Sequence, residues 1–94
     1  MKLNTIMLLP AFATAIHAWT LVLGGQVFDG KGNRGCSRVT ANAGSRLDWD
    51  RAILSSCCVH LYSDAGCSKQ NGYSCSDWEK NLGQNVRAFK VTDC

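Results

Sequence analysis

Six cysteines, two of them adjacent, constrain this 94-residue chain more than any other feature. They run from Cys36 through Cys57, Cys58, Cys67 and Cys75 to Cys94, with gaps of 20, 0, 8, 7 and 18 residues. No gap makes a Cys-x-x-Cys knuckle, and His60 is the one histidine beyond residue 18, so the pattern does not read as a metal site. An even set of cysteines in so short a chain reads as three disulfides, which supply by cross-linking what a small core lacks. Closing each loop is worth roughly 3 kcal/mol in the chain-entropy account. A Cys57–Cys58 bond is excluded, because neighbouring Cα atoms sit closer than an unstrained bridge requires. Neighbours on an extended strand face opposite ways, so the doublet is expected to anchor to two different layers. The expected pairing joins Cys67 to Cys75 across the local loop and ties Cys36 and Cys94 each to one member of the doublet.

The amino terminus points to a compartment where such bonds persist. Lys2 supplies a short positive region, Ile6 to Ala15 a mostly apolar one, and small residues follow, the pattern of a signal peptide over 1–18. Cleavage after Ala15 or after Ala18 satisfies the small-residue rule; the second is favoured because it leaves Pro10 at a normal distance upstream. The apolar run is broken by Pro10 and too short to span a bilayer. The expectation is therefore a secreted, extracellular protein with one domain over 19–94, acting as a monomer and without membrane insertion. Losing Lys2 with the leader lowers the formal net charge from +3 to +2. Charge that mild and scattered gives no reason to expect nucleic acid as a partner.

Short β-prone runs follow one another at turn spacing. Leu21–Leu23 and Gln26–Phe28 flank Gly24-Gly25, and the stretch from Asp29 to Gly35 reads as a glycine-rich surface loop. Cys36–Thr40 is a further strand. Leu47 and Trp49 alternate with Asp48 and Asp50, which predicts a strand through Trp49 and a short helical turn near Arg51–Leu54. Cys57–Tyr62 is the central strand, bulky on both faces. Asn71-Gly72 is the clearest hairpin signal, Ser76 could cap a helical turn through Lys80, and Val86–Val91 is the last strand. The sum is an all-β chain, or a β-rich one with one or two short helical turns. Its architecture is a small disulfide-stapled sandwich or open barrel of five to seven short strands.

The chemistry-bearing residues favour recognition over catalysis. His60 lies inside a strand and reads as a packing residue, the cysteines leave no free thiolate, and Asp48 and Asp50 read as a solvated strand face. No catalytic residue, cofactor or metal is expected. Aromatics on a rigid scaffold make good anchors for protein or sugar surfaces. Tyr73, in a polar stretch, and Trp78, flanked by Asp77 and Glu79, are the aromatic candidates, whereas Trp49 is assigned to the core. Lys31 and Arg34 complete the candidate binding surface; together with Arg38 they form a modest basic cluster that reads as solvated. The chain beyond the leader has neither an Asn-x-Ser/Thr sequon nor a dibasic pair.

A resemblance rests on particular residues. A leader, then Cys36, Gly44-x-x-Leu47-x-Trp49, Cys58-Val-His-Leu-Tyr-Ser-Asp-Ala-Gly-Cys67, a further cysteine and the terminal Phe89-Lys-Val-Thr-Asp-Cys94 together resemble the small secreted cysteine-rich proteins of filamentous fungi. Many of these are candidate effectors in virulence. The resemblance implies a non-catalytic secreted protein that binds a host or extracellular target, either a protein or a surface glycan outside the producing cell. An antimicrobial or killer-type toxin acting on competing microbes is the alternative, and a small secreted enzyme such as a ribonuclease is the second. The chain is also similar to βγ-crystallin-like Greek keys and the killer toxins built on them, with Tyr62 as the aromatic that ends the strand. It departs from that pattern at Cys67 and Lys69, where an aromatic and a glycine would stand. Arg51 and Ala52 precede Ser55-Ser56 where a calcium site would have Asn or Asp.

Overall fold

The computed structural model describes residues 18–94, so the leader and both cleavage positions but for Ala18 lie outside the described residues. Among the described residues eight strands run in chain order: β1 Trp19–Leu23, β2 Gln26–Gly30, β3 Arg34–Ala41, β4 Arg46–Arg51, β5 Cys58–Tyr62, β6 Gln70–Ser74, β7 Trp78–Asn81 and β8 Val86–Thr92. They form two four-stranded antiparallel sheets, ordered β2-β1-β4-β7 and β3-β8-β5-β6. Each half of the chain is a Greek key folded across both layers. Its first, second and fourth strands pair in one sheet, and its third crosses to the edge of the other. The two halves are therefore interleaved, and neither has a core of its own.

Alternation fills the space between the layers. Trp19, Leu21 and Leu23 of β1 and Leu47 and Trp49 of β4 meet Val39, Val59, Leu61, Phe89 and Val91 from the opposite sheet, all buried. Trp19 lies 5.6 Å from Trp49 and 6.5 Å from Phe89 between ring centroids. The β1–β2 hairpin closes on Gly24 and Gly25 at φ +60° and +86°, the paired positive angles that a two-residue turn of this hand needs and that side chains resist.

The strand count exceeds the expected range because two segments expected to turn or coil are extended. Trp78–Asn81 pairs with β4, Asp48 opposite Glu79 and Trp49 opposite Trp78, so no helical turn forms after Ser76. Among the described residues there is no helix. The segment after β4 is a tight turn, closed by the Ser55 amide donating to the Ala52 carbonyl (2.9 Å) and braced by Arg51, whose guanidinium donates to the Ser55 carbonyl (3.0 Å). It leaves Ile53 and Leu54 89% and 98% exposed. Asn71-Gly72 lies within β6 and not at a turn. Gly72 is opposite Leu61, and a Cβ there would come within 3.0 Å of Leu61 Cδ1, so packing sets this glycine.

The disulfides are Cys36–Cys67, Cys57–Cys94 and Cys58–Cys75. The expected Cys67–Cys75 bond is not formed. In the β5–β6 hairpin Val59 is opposite Ser74, which delivers Cys75 beside Cys58, whereas Cys67 sits at the far end of the strand, roughly 15 Å away at ~3.3 Å per residue. Nor does Cys36 reach the doublet. Strand β8 lies between β3 and β5, and two strand spacings of ~4.8 Å exceed the ~7 Å that a bridge spans. Cys36 instead meets the 63–69 loop.

Candidate functional site

The four residues singled out from sequence fall at opposite edges of the sandwich. Lys31 is exposed in the short turn between β2 and β3. Arg34 opens β3 with its guanidinium 5.4 Å from the ring centroids of both Phe28 and Phe89, and its Nε donates to Ser37 Oγ at 2.9 Å. It seals the core edge more than it reaches outward.

At the other edge β6 and β7, from different sheets, flank a groove of about 290 Å³. Its apolar walls are Leu61, Leu82 and Val86, and Tyr73 and Trp78 both line it. Trp78 packs against the core, with Lys80 Nζ 5.5 Å from its ring centroid. Tyr73 directs its ring to the outer face of its sheet, 4.8 Å from the His60 ring. Its hydroxyl lies 2.9 Å from Cys75 Sγ and 3.8 Å from Cys58 Sγ. Tyr73 is 52% exposed, so the cystine and His60 fix the orientation of a ring that solvent still reaches.

His60 has partners at both ring nitrogens: Gln70 Oε1 at 2.9 Å from Nδ1 and Thr92 Oγ1 at 2.7 Å from Nε2. The Thr92 hydroxyl in turn donates to Asp93 Oδ2 at 3.0 Å. This chain holds β5, β6 and β8 together across their outer face. Among the described residues no group of three or more His, Cys, Asp or Glu side chains is placed to hold a metal ion.

A second cleft, of about 330 Å³, lies on the β3–β8 side, lined by Gln26, Arg38, Thr40, Ala65 and Arg87. Sequence order put Arg38 with Lys31 and Arg34; the fold puts it with Arg87, which lines the same cleft. Arg87 donates to the Ala41 carbonyl at 3.3 Å and to Asn42 Oδ1 at 3.0 Å. The ion pairs among the described residues are Arg46–Asp48, Arg46–Glu79 and Arg51–Asp77, at 3.3, 3.3 and 3.7 Å. All belong to the β2-β1-β4-β7 sheet or its flank. Arg38, Arg87 and Lys90 take part in none of them.

Asp64 shapes the loop that bounds this cleft. Its carboxylate accepts the Ser68 hydroxyl at 2.6 Å and the backbone amides of Ser68 and Lys69 at 3.0 and 2.8 Å. The Ser68 hydroxyl first, and the Lys69 amide next, hold its pKa at about 2, below the usual 3.8. The loop so formed presents Cys67 at φ +58° to Cys36.

Neither Arg87 nor Lys90 stands out in the sequence, since each is a lone cation in a β-prone run. Only the long-range pairing of β8 with β3 and β5 gathers them. No protein-family model matches this chain, and no match to it is found among curated proteins or solved structures. Three disulfides in so small a domain are compatible with an extracellular location.

Proposed function

We propose that this is a secreted, non-catalytic binding protein of the effector type, which presents the outer face of its cystine-bearing sheet to a host or other extracellular target. The observation that carries the reading is the division of charge between the sheets. Strands β3, β5, β6 and β8 contain Arg34, Arg38, Arg87 and Lys90 and no carboxylate, whereas Asp29, Asp48, Asp50 and Glu79 lie in β1, β2, β4 and β7 together with Arg46, Arg51 and Lys80, so only the first sheet has strand cations without strand carboxylates. On the cationic face Tyr73 is held open by the Cys58–Cys75 bridge, a preordered aromatic of the kind that anchors interfaces. The interleaved Greek keys are in keeping with the similarity to βγ-crystallin-like Greek keys, at the level of fold alone.

The same uncompensated strand cations favour a second reading, a killer-type toxin directed at competing microbes, and the exposed Ile53 and Leu54 would serve it. One set of assays separates the readings. Oxidised protein is incubated with isolated host cell-surface material and, separately, with growing yeast and bacteria. Retention on the surface material without growth inhibition is expected. Inhibition at micromolar protein would replace the reading with the toxin. A hydrolytic activity abolished by His60→Ala in a still-folded protein would replace it with an enzyme.

A further inference from the structure

We propose that the Arg38–Arg87 cleft and the face beside it bind the carboxylate or sulfate groups of an acidic extracellular polysaccharide. This rests on the binding-protein reading above and names its ligand class. The cleft offers two guanidiniums with no carboxylate partner among the described residues, Arg38 and Arg87, together with the Gln26 and Thr40 side chains. Arg87 also donates to the Ala41 and Val86 carbonyls and to Asn42 Oδ1. Guanidinium favours carboxylate and sulfate because it presents paired donors in one plane. Asp64, the nearest carboxylate in the chain to Ala65, which lines the cleft, spends its oxygens on Ser68 and Lys69, so it is not turned to the arginines.

The cations continue beyond the cleft. Arg38 is opposite Ala88, and Lys90 is two residues further along β8, hence on the same face. Lys90 stands opposite His60, which stands opposite Tyr73. The backbone offset from Arg38 to Lys90 is one strand across and two residues along, about 5 by 7 Å. A flat face with spaced cations and one exposed ring suits a chain of acidic sugars, with charges on the cations and a sugar face against Tyr73. Single-stranded nucleic acid fits less well, because successive bases need several open rings, and Tyr62, the other aromatic there, is 7% exposed beneath Lys90.

The test is affinity electrophoresis and calorimetry of the oxidised full domain with polygalacturonate, dextran sulfate, neutral dextran and poly(U), at low and at physiological salt. Binding to one or both acidic polysaccharides, weakened by salt, is expected, with no binding to dextran. The double variant Arg38→Gln/Lys90→Gln should raise the dissociation constant about tenfold or more with the thermal midpoint unchanged. Glu79→Gln on the opposite sheet should leave affinity where it was. Failure to bind either acidic polymer, equal binding to neutral dextran, tighter binding to poly(U), or full affinity in the double variant would each overturn the proposal. If it fails while cell-surface retention persists, the binding-protein reading stands with another ligand. If retention is also lost, both fall.

Discussion

The sheet of β3, β8, β5 and β6 anchors all three cystines and has no carboxylate in its strands. The sheet of β2, β1, β4 and β7 has no cystine, carries four strand carboxylates and buries Trp19 and Trp49. One layer is fastened covalently; the other is held by apolar burial and by ion pairs that, being exposed, contribute little. The difference bears on function. Cations gathered without counter-ions repel one another, and a face that keeps them benefits from links that do not depend on charge. In the carboxylate-bearing layer that repulsion is absent, because Arg46 lies within 3.3 Å of both Asp48 and Glu79.

The largest expected effect follows directly. Cys36–Cys67, Cys57–Cys94 and Cys58–Cys75 close loops with sequence separations of 31, 37 and 17, worth ~3–4 kcal/mol each in the chain-entropy account. Full reduction should therefore unfold a domain whose whole stability is of order 5–15 kcal/mol. Near-UV circular dichroism of the tryptophans should vanish in dithiothreitol, although none of them lies in the stapled sheet, because neither Greek key has a separate core. Survival of that signal would show that the aromatic layer folds alone, independently of the stapled sheet. Peptide mapping of the oxidised protein should return the three pairings above and no Cys67–Cys75 peptide.

The second effect sits within the unstapled sheet and is smaller. Trp19 and Trp49 are equally buried, but Trp19 Nε1 donates to the Gly32 carbonyl at 2.9 Å, whereas Trp49 Nε1 is buried without an acceptor. Both Trp→Phe changes remove similar volume. Trp19→Phe also abandons a hydrogen bond of ~1 kcal/mol, and Trp49→Phe removes an orphan donor. Urea denaturation should rank Trp19→Phe as the more destabilising by ~1–2 kcal/mol; the reverse order would show that packing alone sets their contributions.

How far the sequence discloses all this depends on the range of the interaction. Alternation of Leu47 and Trp49 with Asp48 and Asp50, and the Gly24-Gly25 turn, are local, and the strands they imply are present at β4 and β1–β2. Asn71-Gly72 misleads because a glycine chosen for close approach to Leu61 has the same letters as one chosen for a turn. The disulfides mislead for a different reason: hairpin register and strand order decide which sulfurs meet, and neither is a property of cysteine spacing. For the candidate surface residues, the sequence indicates position only in part. Tyr73 is exposed and Trp78 lines a groove, but Arg34 is occupied by two phenyl rings, and Lys90 acquires a common face with Arg38 only when β8 inserts between β3 and β5.

The smallest effect is at the loop that ties β3 to the hairpin of the stapled sheet. Asp64, with its pKa held at about 2 against the usual 3.8, favours the folded state wherever it is ionised there, because the unfolded chain binds the proton more readily. Its contribution is complete above pH ~4–5 and is lost as the pH falls through 3.8 toward 2. Denaturation midpoints of the oxidised protein should decline across that window, and in Asp64→Asn the decline should flatten while stability at neutral pH drops. The loss should be modest, because the carboxylate is open to solvent and Cys36–Cys67 still closes the loop. Repeating the comparison in a Cys36→Ala/Cys67→Ala background tests whether bond and carboxylate share that task. A larger effect of Asp64→Asn without the cystine would show that the carboxylate preorders what the bridge then locks, and equal effects would show that they act independently.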